Sequence, residues 1–198
     1  MSVDAVLSHQ LGRNAELRPL EPWNAEELFD CVECAREHLT PWTVLAARVT
    51  DVFSARKLLQ HYAARQAHDT GRYLGIWRDG ALVGGALFRT FDTRSACCEV
   101  GAWLIPQAQG HGLATLALRH MLDWAFHSRG LRRSELRASP ENPHGRGIAM
   151  RLGMAHQTTL RKSFLLNGIH HDTEVWAVTA ENWQAQRSFC GTCPSPGP

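Results

Sequence analysis

Residues 103–115 read WLIPQAQGHGLAT, and the rest of the chain is understood from this stretch outward. An apolar strand ends at Pro106. A loop carrying Gly110 and Gly112 follows, and a helix begins at once with Leu113, Ala114 and Thr115. The glycines let the backbone approach a ligand, and the loop's N–H groups turn outward with the dipole of the new helix behind them. This is an anion site suited to a pyrophosphate. It is not a P-loop, because Gly-Lys-Ser/Thr is absent. Nor is it a dinucleotide fingerprint, because the third glycine and the downstream acid are missing.

Upstream, residues 73–77 and 81–89 flank Asp79-Gly80, a strong hairpin signal, and 96–105 form a further strand. Downstream, 113–129 predict a long helix with Leu113, Leu116, Ala117, Met121, Trp124 and Ala125 at helical spacing and Gly130 as its cap. Residues 131–138 read as a strand and 142–152 as a short helix stopped by Gly153. Residues 154–166 and 169–179 are two strands about Asn167-Gly168. Near the start, 15–20 is a strand and 21–38 a helix with Asn24 as N-cap and Glu27 completing a capping box. Thr40-Pro41-Trp42 breaks it, and a second helix runs from Thr50 or Asp51 to about His68. The order β-α-α-β-β-β-α-β-α-β-β places one crossover among antiparallel hairpins. The fold class is α/β of the mixed α+β kind: a mixed, mostly antiparallel sheet with helices on both faces.

The 198 residues, 44% hydrophobic and 20% charged, suit one domain over 15–185, with an extension over 1–14 and a flexible Pro/Gly-rich tail over 186–198. Apolar runs such as 100–105 are far shorter than the roughly 18 residues of a membrane span. The first residues have no signal-peptide pattern, which points to the cytoplasm. Net charge is +2 with both signs spread along the chain, so neither membrane nor nucleic acid is the expected partner. Six cysteines include two C-x-x-C pairs, Cys31/Cys34 and Cys190/Cys193. Neither pair has a zinc-ribbon context, and no metal is expected. Cys97 and Cys98 have no evident histidine partner and read as core packing.

The loop resembles the Gln/Arg-x-x-Gly-x-Gly/Ala motif of the GNAT superfamily of acyl-CoA-dependent N-acyltransferases, matched by Gln107, Gly110 and Gly112. LRPLEPWNAEEL, CEVGAWLIPQAQGHGLAT, PENPHGRGIAMRLGM and LLNGIHHDTEVWAVT follow in family order. Together they resemble the RimJ/RimL branch of ribosomal-protein N-terminal acetyltransferases over about residues 15–183. The resemblance implies a sheet splayed between strands 96–105 and 131–138, with the pantetheine arm of acetyl-CoA in the opening near Trp103, Leu104 and Ile105. It places the pyrophosphate on the N–H groups from Gln109 through Gly110, His111, Gly112 and Leu113 to Ala114. Asn142 would lie near the thiol end, and Arg146 would reach a cofactor phosphate. A longer or charged donor such as succinyl-CoA is left open.

The implied chemistry is direct attack of a neutral amine on the thioester, helped by a general base and by an acid for the departing thiolate. Glu99, alone in an apolar strand, is the candidate base. Gly145 stands where the branch often has serine, which leaves His144 as the candidate acid or gives that role to solvent. Of His170 and His171 only one can face the cleft. His171 and Asp172, with Trp42 where the branch builds part of its acceptor pocket, are the candidate acceptor-binding residues. The implied acceptor is a protein or peptide N-terminus. A small amine, a non-catalytic acyl-CoA-binding regulator and a homodimer remain open alternatives.

Overall fold

A computed structural model of the protein describes residues 8–190. Eight strands form one sheet: β1 (His9–Gln10), β2 (Ala15–Pro19), β3 (Arg72–Arg78), β4 (Ala81–Asp92), β5 (Cys97–Leu104), β6 (Arg133–Ala138), β7 (Ala155–Leu166) and β8 (Ile169–Thr179). Their order is β1-β2-β3-β4-β5-β6-β8-β7. Every neighbouring pair is antiparallel except β5 and β6, which the crossover makes parallel. The helices are α1 (Ala25–Cys34), α2 (Arg36–Leu39), α3 (Leu45–Arg48), α4 (Val52–Ala67), α5 (Leu113–Asp123), α6 (Pro143–Arg151) and α7 (Ala180–Cys190).

The central strands are covered on both faces, so they read as nearly continuous apolar runs. On β3, Leu74 and Ile76 face one core, with Leu118, Met121 and Leu122 of α5. Tyr73 and Trp77 face the other, with Leu28 and Val32 of α1 and Leu59 of α4. This alternation within one strand gives the three layers. Gly85 on β4 permits a close approach that fixes the centre. A Cβ there would come within 2.6 Å of the Tyr73 ring and 2.7 Å of Trp103 Nε1. Those two side chains are joined instead, Trp103 Nε1 donating to Tyr73 Oη at 2.8 Å.

Both hairpin turns form as expected, and α4 is capped by Asp51, whose Oδ1 accepts from Ser54 N at 2.7 Å. Four details differ from the sequence reading. The expected helix over 21–38 is interrupted at Ala35 (φ −114°), dividing it into α1 and α2. Asn24 does not cap α1 with its side chain; its Oδ1 accepts from Glu21 N at 3.1 Å, closing the 3₁₀ turn that precedes α1. The C-terminal turn of the long helix, Trp124–Ser128, widens to π geometry. The expected domain edges fall inside structure: β1 lies within 1–14, and α7 runs across 185/186 with Trp183 buried. Residues 191–198 lie outside the described residues, and with them Cys193 of the second C-x-x-C pair. Cys31 and Cys98 are buried, and burial pushes each thiol up to about 12, which keeps it protonated.

A charged cluster gathers around one buried guanidinium. Arg72, 3% exposed, packs its guanidinium against Phe91 and Trp124 and donates to Asp69 at 2.6 Å. Arg129 approaches the same carboxylate at 3.1 Å. Burial pushes the Asp69 carboxyl up, but the two guanidiniums hold it net below its ordinary 3.8. Asp69→Ala strands the buried Arg72 and should cost about 2–3 kcal/mol in urea unfolding. The native contribution is complete above the ordinary carboxylate range and is lost as pH falls through the lowered native value.

Candidate active site

The β5–β6 ladder runs from Cys97↔Arg133 to Val100↔Leu136 and stops there. β5 continues to Leu104, held on its other side by β4, and β6 continues to Ala138, held by β8. The sheet therefore opens between two of its central strands, and a cleft of about 600 Å³ lies at the opening. The backbone edge of β5 beyond Val100 faces it without a partner strand.

The loop after β5 brings the N-terminus of α5 to the mouth of this cleft. Gly110 (φ 79°) and Gly112 (φ 72°) are both in the left-handed region, where a Cβ is strained. Gly112 caps α5 without any side-chain hydrogen bond, and the helix's first backbone bond comes from Leu116 N to Gly112 O at 2.9 Å. The N–H groups before it are open toward the cleft, a built anion cradle. Gly110, Gly112, Leu113, Ala114 and Thr115 all line the cleft. So does Arg151 from α6, whose Nε donates to Thr115 Oγ1 at 3.3 Å. Sequence reading had named Arg146 for a phosphate. That residue turns to the buried Glu174, Nε to Oε2 at 3.1 Å, and is not on the cleft wall. Five residues along α6 from Arg146, Arg151 sits beside the loop that Arg146 does not reach.

Three other expected cofactor residues are also off the wall. Ile105 donates its N–H to Val83 O at 3.0 Å and packs into the core. Gln107 is exposed in a short 3₁₀ turn, and His111 is exposed between the two glycines. Trp103, Leu104 and Gln109 do line the cleft. Gln109 places its side-chain amide 2.6 Å from His38 Nε2, tying the loop to α2. His38 and His144 meet edge to face across the cleft, ring centroids 6.4 Å apart. Asn142 caps α6, its Oδ1 accepting from Gly145 N at 3.0 Å. A Cβ on Gly145 would come within 3.0 Å of the Ala138 Cβ, so this position is small because α6 presses on the end of β6.

The far wall carries Trp42 and the β7–β8 hairpin. Asn167 Nδ2 at the hairpin turn donates to Thr40 O at 3.1 Å and joins the two segments. His171 faces the cleft, whereas His170 turns to Lys162 O at 3.1 Å. Asp172 accepts from Lys162 N at 2.8 Å, which stabilises the bulge in β7. Glu99 sits on the floor, its side chain 16% exposed, between Arg137 (Nε to Oε2, 3.4 Å) and Arg89 (Nε to Oε1, 3.7 Å). Burial pushes its carboxyl above the ordinary glutamate value, against the opposing pull of the two arginines. Tyr73 is no acid: burial raises its phenol far above the ordinary value, and its oxygen accepts from Trp103. Arg89, Arg137, His38 and Arg151 were not singled out from the sequence. Each is an ordinary surface residue by local pattern and becomes part of the cleft only through tertiary folding.

An opened sheet with an anion cradle at one end and a desolvated carboxylate on its floor is built to hold a long phosphorylated thioester beside an amine. A model of the acetyltransferase (GNAT) domain matches residues 14–155, and the chain belongs to that family. It is an N-acetyltransferase with acetyl-CoA as co-substrate, and its relatives include proteins named for ribosomal N-acetylation. The Bacillus subtilis protein YdaF is 25% identical to it over 179 residues, 90% of this chain and 98% of the relative. The ribosomal-protein-serine acetyltransferase of Escherichia coli is 25% identical over 122 residues, 62% of this chain and 68% of the relative. The structure of RimL, a ribosomal-protein α-N-acetyltransferase in complex with coenzyme A, shares the fold with a TM-score of 0.82 at 19% identity, covering 87% of this chain and 97% of that one. No helix among the described residues is long and apolar enough to cross a membrane.

Gly110→Glu puts a strained backbone and a negative charge into the cradle. It should weaken acetyl-CoA binding by at least about tenfold in calorimetry. Arg151→Gln should weaken it by a smaller factor, about threefold to tenfold, and an unchanged affinity in both variants would remove the phosphate site from this loop.

Proposed function

We propose that the acceptor is the α-amino group of a protein or peptide N-terminus, and that Glu99 is the general base. The reading rests on one observation: a carboxylate held out of water on the floor of the cleft, at the foot of the opened strands. The branch supports the acceptor, as do the names of the Escherichia coli relative and of RimL.

Glu99 takes a proton from the incoming ammonium, directly or through one water. The freed nitrogen attacks the thioester carbonyl carbon, a C–N bond forms and the C–S bond breaks. The carbonyl oxygen is polarised by backbone N–H groups along the open edge of β5. The leaving thiolate takes a proton from His144, which lines the cleft in the first turn of α6 beside Gly145, and the second proton shed by the acylated nitrogen restores that imidazole. Asn142, which caps that turn, lies next to the thiol. Gln109, Gly110, Gly112, Leu113, Ala114 and Thr115, with Arg151, hold the phosphates; Trp42 and His171 border the acceptor.

Thiol release is followed with acetyl-CoA and a panel of peptide N-termini. Turnover is expected on some of them, with kcat/KM falling at low pH through a midpoint above the ordinary 4.5 of glutamate, because the base must be ionised. Glu99→Gln should lower kcat/KM by about 10²-fold or more and abolish that acidic limb. A variant that keeps both rate and limb would refute the assignment.

A further inference from the structure

Three charged side chains from three strands converge on the floor of the cleft. Arg89 is the extra residue of a bulge in β4, where the register passes from Phe88↔Val100 to Thr90↔Glu99. Bulges re-aim side chains, and this one lays a guanidinium across Gly101, where a Cβ would stand only 3.0 Å from Arg89 Nε. Arg137 comes from the opposite side. It is the first residue of β6 beyond the last rung shared with β5. Both arginines line the cleft and are about half exposed, at 46% and 47%. Glu99 between them is far more enclosed.

Immediately around Glu99 the cations outnumber the carboxylate, and Glu141 and Asp172 carry the other negative charges on the cleft wall. Glu99 stands against two cations at 3.4 and 3.7 Å, longer than close ion pairs. Glu135 also reaches Arg137 at 3.5 Å, but it is closer to Arg133, at 3.1 Å, and is not on the cleft wall. Asp172, on the far wall, accepts from the N–H of Lys162. A guanidinium has five N–H donors, and the contacts to Glu99 and Glu135 use only a few of them. The surplus has two consequences. A bare alkylammonium is repelled where it must give up its proton. An acceptor that brings its own carboxylate meets unspent, forked donors suited to it.

We propose that Arg89 and Arg137 read a carboxylate on the acceptor, so that the preferred substrate is an amine with an acidic group close to its nitrogen. A peptide with Asp or Glu in its first two positions, or a free acidic amino acid, has that chemistry. The proposal rests on the reading of Glu99 as the acceptor-side base and adds the chemical class of the acceptor.

The test uses the full chain, acetyl-CoA and three peptides that differ only in carrying Glu, Gln or Lys at the second position, with free glutamate as a fourth acceptor. The Glu peptide should exceed the Gln peptide by about tenfold in kcat/KM, and the Lys peptide should be the poorest. That preference should shrink to within about twofold in the Arg89→Gln/Arg137→Gln double variant, and Arg137→Glu should turn it toward the Lys peptide. Activity on free glutamate equal to that on the Glu peptide assigns the carboxylate to a free amino acid; much lower activity assigns it to a peptide, and either supports the proposal. Equal rates on the Glu and Gln peptides, or a preference that survives in the double variant, overturn it. If no acceptor is acetylated, the proposed function fails while recognition can still be read. The same peptides are then titrated into the protein saturated with coenzyme A. Tighter binding of the Glu peptide by a similar factor upholds the proposal, and equal or absent binding overturns it.

Discussion

The sheet stops pairing in its own middle, and the rest of the site follows from that. Past Val100 and Leu136, two adjacent parallel strands separate, each still held by its outer neighbour. Backbone groups in a sheet interior need partners, and beyond Val100 the β6-facing edge of β5 has no strand to supply them. The separation is enforced from both sides. Gly85 lets Tyr73 and Trp103 lock β5 onto β3 and β4, while α6 packs against the end of β6 through Gly145 and Ala138. The parallel crossover then delivers the uncapped N-terminus of α5 to the same opening. Strand edge and helix end are two kinds of unsatisfied backbone, placed where one long molecule can satisfy both.

One carboxylate between two guanidiniums is a recurring charge motif among the described residues, and two instances of it differ in opposite directions. Asp69 with Arg72 and Arg129, and Glu99 with Arg89 and Arg137, are each one carboxylate between two guanidiniums. In the first, Arg72 is buried against Phe91 and Trp124, the Arg72–Asp69 bond is short, and the carboxyl is held below its usual range. That arrangement belongs to the packing of the π turn after α5 against β3 and β4. In the second, the separations are longer, the guanidiniums are half exposed, and burial raises the carboxyl above its usual range. Distance and burial, rather than residue type, set the two carboxyls on opposite sides of their usual range.

The sequence made most of the fold legible because its punctuation is local. Asp79-Gly80, Asn167-Gly168, Gly130 and the helix start at Thr50 or Asp51 each act within a few residues, and each forms where it was read. Local rules failed where two signals competed for one side chain. Asn24 was expected to cap α1, but its oxygen closes the preceding turn instead. At the site, the backbone component was readable because Gly110 and Gly112 carry it themselves. The side-chain component was readable only in part: Glu99, Trp42, Asn142, His144 and His171 line the cleft, but its arginines were missed. Arg146 and Arg151 are equally plausible by position, and only the placement of Glu174 on β8 decides which one is drawn away. Glu99 stood out as a charge in an apolar strand, but its partners come from a bulge and from a strand end, which no periodicity marks.

The hydrogen bond from Asn167 to Thr40 spans 127 residues of chain. The cofactor cradle, by contrast, is made mostly of residues close together in sequence, from β4 through the start of α5. As the chain emerges from synthesis, the segment from β4 to α5 is complete while the far wall of the cleft is still missing. That wall is completed only when the last hairpin docks against the loop after α2, among the most distant and entropically costly closures in the molecule. The far wall is therefore the part of the cleft whose closure needs nearly the whole chain.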